Sequence, residues 1–123
     1  MNHRILIVED DRITLSLLRY FLQKNGFDIL ETNNYDGAVA LLNSVTVDVV
    51  LLDVFLPGDK SGLDVASYIA RHPTLSRIHI IILSAHPVSE AGLYDILPPK
   101  NILLKPASPN VLLILIHELL GIS

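Results

Sequence analysis

Ile5-Leu6-Ile7-Val8-Glu9-Asp10-Asp11 is a short β-branched run that stops abruptly on three carboxylates. The same pattern returns three times: Val49–Leu52 ends at Asp53, Ile78–Leu83 at Ser84, and Ile102–Leu104 at Lys105. Each run is too short for a helix and has the composition of a buried strand. If the four are parallel strands of one sheet, their carboxyl ends lie along one edge, where open α/β sheets place their ligands. Residues distant in sequence then share one site.

Between these runs lie segments of helical period, the alternation that builds a parallel sheet from βαβ units. The first strand is expected at Arg4–Val8, followed by a helix from Arg12 to Asn25 that turns Leu15, Leu18 and Leu22 inward and Arg12, Ser16 and Arg19 outward. Asn25-Gly26 closes it, with glycine past the helix end. A second strand, Asp28–Glu31, precedes a helix over Tyr35–Asn43 with Ala38, Leu41 and Leu42 inward. The third strand is read as Val47–Leu52, and a helix over Leu63–Arg71 is stopped by His72-Pro73. After the fourth strand, Ile78–Leu83, a short or distorted fourth helix is expected within Val88–Leu97, because Gly92 interrupts it and Pro98-Pro99 ends it. A fifth strand, Asn101–Leu104, leads to a fifth helix beginning near Ser108-Pro109, where serine suits the cap and proline the first turn.

The chain has 123 residues, half of them apolar, which fits one domain with a real core spanning 1–123 and no effector domain. It has no cysteine, which removes disulfides and thiolate chemistry and fits a reducing compartment. Nine Lys+Arg stand against thirteen Asp+Glu, for a net charge of −4 without any basic run, so direct nucleic-acid binding is not expected. The longest apolar stretch, Val111–Ile116, falls far short of the ~18 residues of a membrane span. A soluble, cytoplasmic protein is the expectation.

The ordered set Glu9-Asp10-Asp11, Asp53 with Leu56-Pro57 and Gly62-Leu63, Ser84-Ala85, and Lys105-Pro106 resembles the receiver domain of two-component response regulators over essentially the whole chain. The resemblance implies a flavodoxin-like, doubly wound (βα)5 fold. Its five-stranded parallel sheet has order 2-1-3-4-5, with two helices on one face and three on the other. It further implies a signalling switch that catalyses only its own phosphorylation and slow dephosphorylation. Asp53 is then the phosphoryl acceptor, since a carboxylate nucleophile needs a strand-end position open to in-line approach. Glu9 and Asp10 are expected to face it, and a divalent cation relieves the repulsion among three carboxylates. Oxygen ligands favour Mg2+, or Mn2+, over Zn2+. By resemblance Asp10 and Asp53 bind the metal directly, Glu9 through water, and Phe55 by its backbone carbonyl. Lys105 neutralises phosphoryl charge and the Ser84 hydroxyl donates to a phosphoryl oxygen. Phe55 and His86, each two residues beyond a site residue, flank that group.

The implied partners are a histidine kinase or histidine phosphotransfer protein, docking on the first helix. Val111–Ile116 is apolar on every side, which implies either deep burial or a partner surface, as in a homodimer or target docking through the fifth helix, the fourth helix and strand 5. The chain departs from the family at Ile102, where an aromatic residue usually reports phosphorylation, at Pro98-Pro99, and in a loop from Pro57 to Gly62 one residue longer than usual. These departures leave a phosphorylation-independent receiver-like interaction module as the alternative. A Mg2+-dependent aspartyl-phosphate phosphatase of the haloacid-dehalogenase type would want an acid where Phe55 stands. A nucleotide-binding flavodoxin-like role lacks a P-loop or a Gly-rich turn after the first strand.

Overall fold

In a computed structural model, residues 2–87 and 97–122 are described. Five parallel strands, β1 (Arg4–Val8), β2 (Asp28–Thr32), β3 (Val49–Asp53), β4 (His79–Ser84) and β5 (Ile102–Leu104), form one sheet of order β2-β1-β3-β4-β5. Four α-helices are described: α1 (Arg12–Lys24), α2 (Tyr35–Ser44), α3 (Gly62–Arg71) and α4 (Pro109–Leu120). The last is the fifth helix of the sequence reading; the short helix expected within Val88–Leu97 falls almost wholly outside the described residues.

Successive side chains of a strand point to opposite faces, and that alternation feeds two cores. Leu6, Val8, Val50, Leu52, Ile80 and Ile82 pack with α2 and α3. Ile5, Ile7, Val49, Leu51, Ile81 and Leu83 pack with α1 and α4. The central strand β3 is buried along its entire length, as a parallel strand covered on both sides must be. Each such fully buried Ile or Leu contributes about 1.5–3 kcal/mol of transfer free energy.

The helix ends follow their sequence signals in most cases. Asp11 is the N-cap of α1, its carboxylate accepting the Thr14 N–H at 3.1 Å. Gly26, at φ 92°, takes the left-handed turn after the Asn25 C-cap. Helix α3 starts one residue earlier than its hydrophobic period implies, because Ser61 and Asp64 form a capping box. Ser108 occupies the N-cap position of α4, yet its side chain makes no capping hydrogen bond, so Pro109 alone marks that start. Strand β3 begins two residues later than expected, at Val49. Asp48 turns its carboxylate to the Arg4 N–H at 2.8 Å and so ties the entry of β3 to that of β1. Asn101 lies in a 3-10 turn, Pro99–Asn101, rather than in β5; its Nδ2 donates to the Ile80 carbonyl at 2.9 Å.

The apolar fifth helix is not buried all round. Leu112, Leu115 and Ile116 are buried, whereas Val111 and Ile114 are exposed. Among the described residues no helix is long and apolar enough to cross a membrane.

The start of α3 is pressed against the end of β3: a Cβ built on Gly62 would stand 2.0 Å from the Asp53 carbonyl oxygen. A backbone atom cannot swing aside as a side chain can. Gly62→Ala is therefore expected to cost about 1–3 kcal/mol, the usual overpacking penalty, read as a lower urea midpoint. An unchanged midpoint would contradict so close an approach.

Candidate functional site

The strand alternation decides which polar residues meet. Asp53 continues the Val49, Leu51 side of β3, and Glu9 the Ile5, Ile7 side of β1, carried one step past the strand by the Glu9 N–H donating to the Thr32 carbonyl at 3.0 Å. Lys105 extends β5 in the same way, its N–H donating to the Ser84 carbonyl at 2.7 Å. All three side chains therefore emerge on the α1 and α4 side of the sheet's carboxyl edge. Lys105 Nζ donates to Glu9 Oε1 at 2.7 Å and stands 3.5 Å from Asp53 Oδ1. Both carboxylates are withdrawn from water, Glu9 at 2% exposure and Asp53 at 8%.

Burial pushes the Asp53 carboxyl up to about 6, and the adjacent Glu9 carboxylate adds to the shift; Lys105 and the Phe55 N–H, 3.3 Å from Asp53 Oδ1, oppose it. Burial alone would lower the Lys105 ammonium, but Glu9 first and Asp53 second outweigh it, and its net shift is upward. Glu9 is fixed at its other oxygen, Oε2 accepting the Asp11 N–H at 3.1 Å.

Asp10 is not drawn into this cluster. It is exposed beyond the end of β1, and among the described residues no three His, Cys, Asp or Glu are grouped as a metal ion would need. Asp11 serves as the α1 cap; its hydrogen bonds from Thr14 hold its carboxyl below the ordinary value.

Ser84 is buried at the end of β4, on the other alternation from Asp53. Its hydroxyl donates to the His86 carbonyl at 2.6 Å and accepts the His86 N–H at 3.2 Å, so it closes its own turn. His86 and the exposed Phe55 meet edge to face, with ring centroids 6.2 Å apart. Ile102 pairs with Ile82 in the β4–β5 ladder and packs, partly buried, on the α2 and α3 core. The Lys105–Pro106 peptide is cis.

One feature of the surface beside the site escapes a reading of the inward stripe alone. Ile13, Leu17 and Tyr20, at i, i+4 and i+7 of α1, are 72%, 65% and 68% exposed. Behind Leu17 a cavity of about 420 Å³ runs between Leu18, Phe21, Leu83 and Pro106 toward Lys105. Arg19 pairs with Glu31 at 2.6 Å on the surface.

Residues 5–117 match the family model described as response regulator receiver domain. The phosphate regulon transcriptional regulatory protein PhoB of Escherichia coli is 33% identical over 113 residues, covering 91% of this chain and 49% of that protein. The transcriptional regulatory protein YbdJ of Bacillus subtilis is 33% identical over 119 residues, covering 97% and 51%. The chain thus spans about half the length of these relatives. The response regulator TrrA of Thermotoga maritima, solved in complex with Mg2+ and BeF, superposes with a TM-score of 0.82 at 29% identity, covering 95% of this chain and 98% of that one. A receiver domain protein of Methanospirillum hungatei superposes at 0.85 with 22% identity, covering 98% and 95%, a likeness of fold.

Because the folded state holds a proton on Asp53 up to about pH 6 while the unfolded chain releases it near 3.8, the folded state binds more protons across that window. The contribution of this group to stability is complete below the window and is lost as pH rises through it. Asp53→Asn is therefore expected to raise the melting temperature at pH 7.5, with the gain shrinking toward pH 4.5. Equal melting temperatures at both pH values would show that Asp53 carries no such burden.

Proposed function

The chain belongs to the response regulator receiver family, and from that premise we propose that it is a phosphorylation-controlled switch with Asp53 as its phosphoryl acceptor. The observation that carries this reading is the Asp53 carboxylate at the end of the central strand, 3.5 Å from the Lys105 ammonium and beside Glu9. With its carboxyl at about 6, Asp53 is mostly ionised at neutral pH and available as a nucleophile.

In the proposed reaction a phosphohistidine of a histidine kinase or phosphotransfer protein presents its phosphoryl group in line with one Asp53 oxygen. The O–P bond forms as the P–N bond breaks, and the imidazole departs with the bonding pair and takes up a proton. Lys105 then has a more highly charged neighbour than Glu9 and turns to the phosphoryl oxygens. Ser84 follows by giving up its bond to the His86 carbonyl and donating to the same group. Hydrolysis reverses the modification when water attacks phosphorus and Asp53 leaves as carboxylate.

Two buried carboxylates sharing one ammonium form a site with surplus negative charge, which suits a hard divalent cation bound by oxygen. Mg2+, or Mn2+ by the same ligand preference, would be held by Asp53, by Asp10 turned inward, by the Phe55 carbonyl, and by Glu9 through water. Its chemistry there is to neutralise charge on the phosphoryl group in transfer.

Output then follows from rearrangement around Ser84 and the β4–β5 edge, where Leu104, Val111 and Ile114 are exposed for self-association or for a target. The exposed Ile13, Leu17 and Tyr20 of α1, with the cavity behind them, fit an apolar helical face on the phosphodonor. That is a broader footing for kinase docking than the polar Arg12 and Ser16. A phosphorylation-independent interaction module is the second reading; Ile102, an aliphatic residue where the switch aromatic is usual, favours it.

Exposed Phe55, edge-on to His86, shields Asp53 from water in this scheme. Incubation with Mg2+ and a small acyl phosphate is expected to add one phosphoryl group by intact mass, and none to Asp53→Asn. Phe55→Asn should lose that group several-fold faster. An unmodified chain would favour the second reading, and an unchanged decay would remove the shielding role.

A further inference from the structure

The loop from Val54 to Ser61 leaves the acceptor strand and returns to it. At its start the Phe55 N–H approaches Asp53 Oδ1 at 3.3 Å and Leu56 packs on the core; at its end the Gly62 N–H donates to the Val54 carbonyl at 2.9 Å. Between these anchors Pro57, Gly58, Asp59 and Lys60 are all exposed, and Gly58 turns the chain at φ 96°. The excursion is held on α2 by one aromatic contact, the Lys60 ammonium 4.4 Å above the centroid of the Tyr35 ring. Cavities of about 170 and 210 Å³ are both lined by Tyr35 and Lys60, and the second, lined also by Pro57, Gly58 and Asp59, leaves open space between the loop and the start of α2.

Tyr35 is a firm anchor for such a contact. Its ring meets Tyr68 edge to face at 6.4 Å; Tyr68 stacks on His72 at 3.9 Å, and its hydroxyl accepts from Asn43 Nδ2 at 2.9 Å. The Lys60 end reaches that ring on a long stem from an exposed loop. A cation over a fixed ring thus ties the far side of the loop to α2, while its near side carries Phe55 beside Asp53.

We propose that Lys60 and Tyr35 form a clasp that positions the loop after Asp53 and so sets how well Phe55 shields the acceptor. The proposal rests on the reading of Asp53 as phosphoryl acceptor. Lys60 and Tyr35 are positioning residues; neither touches the reacting atoms. An exposed cation–π contact is modest, so the loss expected on breaking it is about two- to fivefold.

The test follows amide hydrogen exchange at Phe55–Lys60 and the decay of the phosphorylated chain by intact mass, on the unaltered protein and on Lys60→Gln, Tyr35→Leu and the double variant. Lys60→Gln alters only an exposed side chain and keeps the test independent of any disturbance that Tyr35→Leu causes in α2. Both single variants should exchange and decay about two- to fivefold faster. The double should resemble either single, because both break one contact. Tyr35→Phe and Lys60→Arg, which keep ring and charge, should restore the slow rates. A decay unchanged in Lys60→Gln, or singles whose effects multiply in the double, would overturn the clasp while leaving Asp53 as acceptor. An unaltered chain that takes no phosphate would overturn the acceptor reading and the clasp with it.

Discussion

Two carboxylates drawn out of water at the end of one sheet need a cation between them. Glu9 and Asp53 have Lys105, at 2.7 and 3.5 Å. Removing the ammonium from such a cluster leaves two carboxylates buried without compensation, which is far costlier than losing a surface pair. The arrangement therefore fixes where β1, β3 and β5 must end relative to one another, and the ladder bonds that carry Glu9 and Lys105 past their strands serve that alignment. It is also unbalanced, with two negative groups against one positive; burial, with Glu9 adding to it, raises the Asp53 carboxyl. A site built this way gains from a further cation and responds when the charge on one member changes.

What surrounds the cluster divides by face. On the α1 and α4 side, the exposed Ile13, Leu17 and Tyr20 border the same edge from which Glu9, Asp53 and Lys105 emerge. On the other side, Ser84 emerges with the α2 and α3 core, closing its own turn, and Ile102 packs into that core. The two sides meet at the carboxyl end of β4, where the Ser84 carbonyl accepts the Lys105 N–H.

Much of this was legible in the chain because buried parallel strands announce themselves as short β-branched runs and because each run stops on a polar residue. The order and parallel sense of the five strands, the Gly26 turn and the polar residues at the strand ends all follow the sequence reading. Other features are non-local. Asp48 looks like a flaw in an apolar run until its carboxylate is seen at the Arg4 N–H, and Ser108 offers a cap that its side chain does not make. The apolar outer stripe of α1 was hidden by the stronger inward stripe of Leu15, Leu18 and Leu22. The Lys60 contact with Tyr35 joins residues 25 apart that share no motif.

In the proposed switch the burdened carboxylate at the end of β3 is the one that takes the phosphoryl group. An acyl phosphate is reduced by borohydride to an alcohol, which turns a phosphorylated aspartate into homoserine. After treatment with Mg2+ and a small acyl phosphate, reduction and peptide mapping should find homoserine at position 53 and unreduced aspartate at positions 10 and 11. Homoserine at position 10 or 11 instead, or at none of the three, would contradict the account.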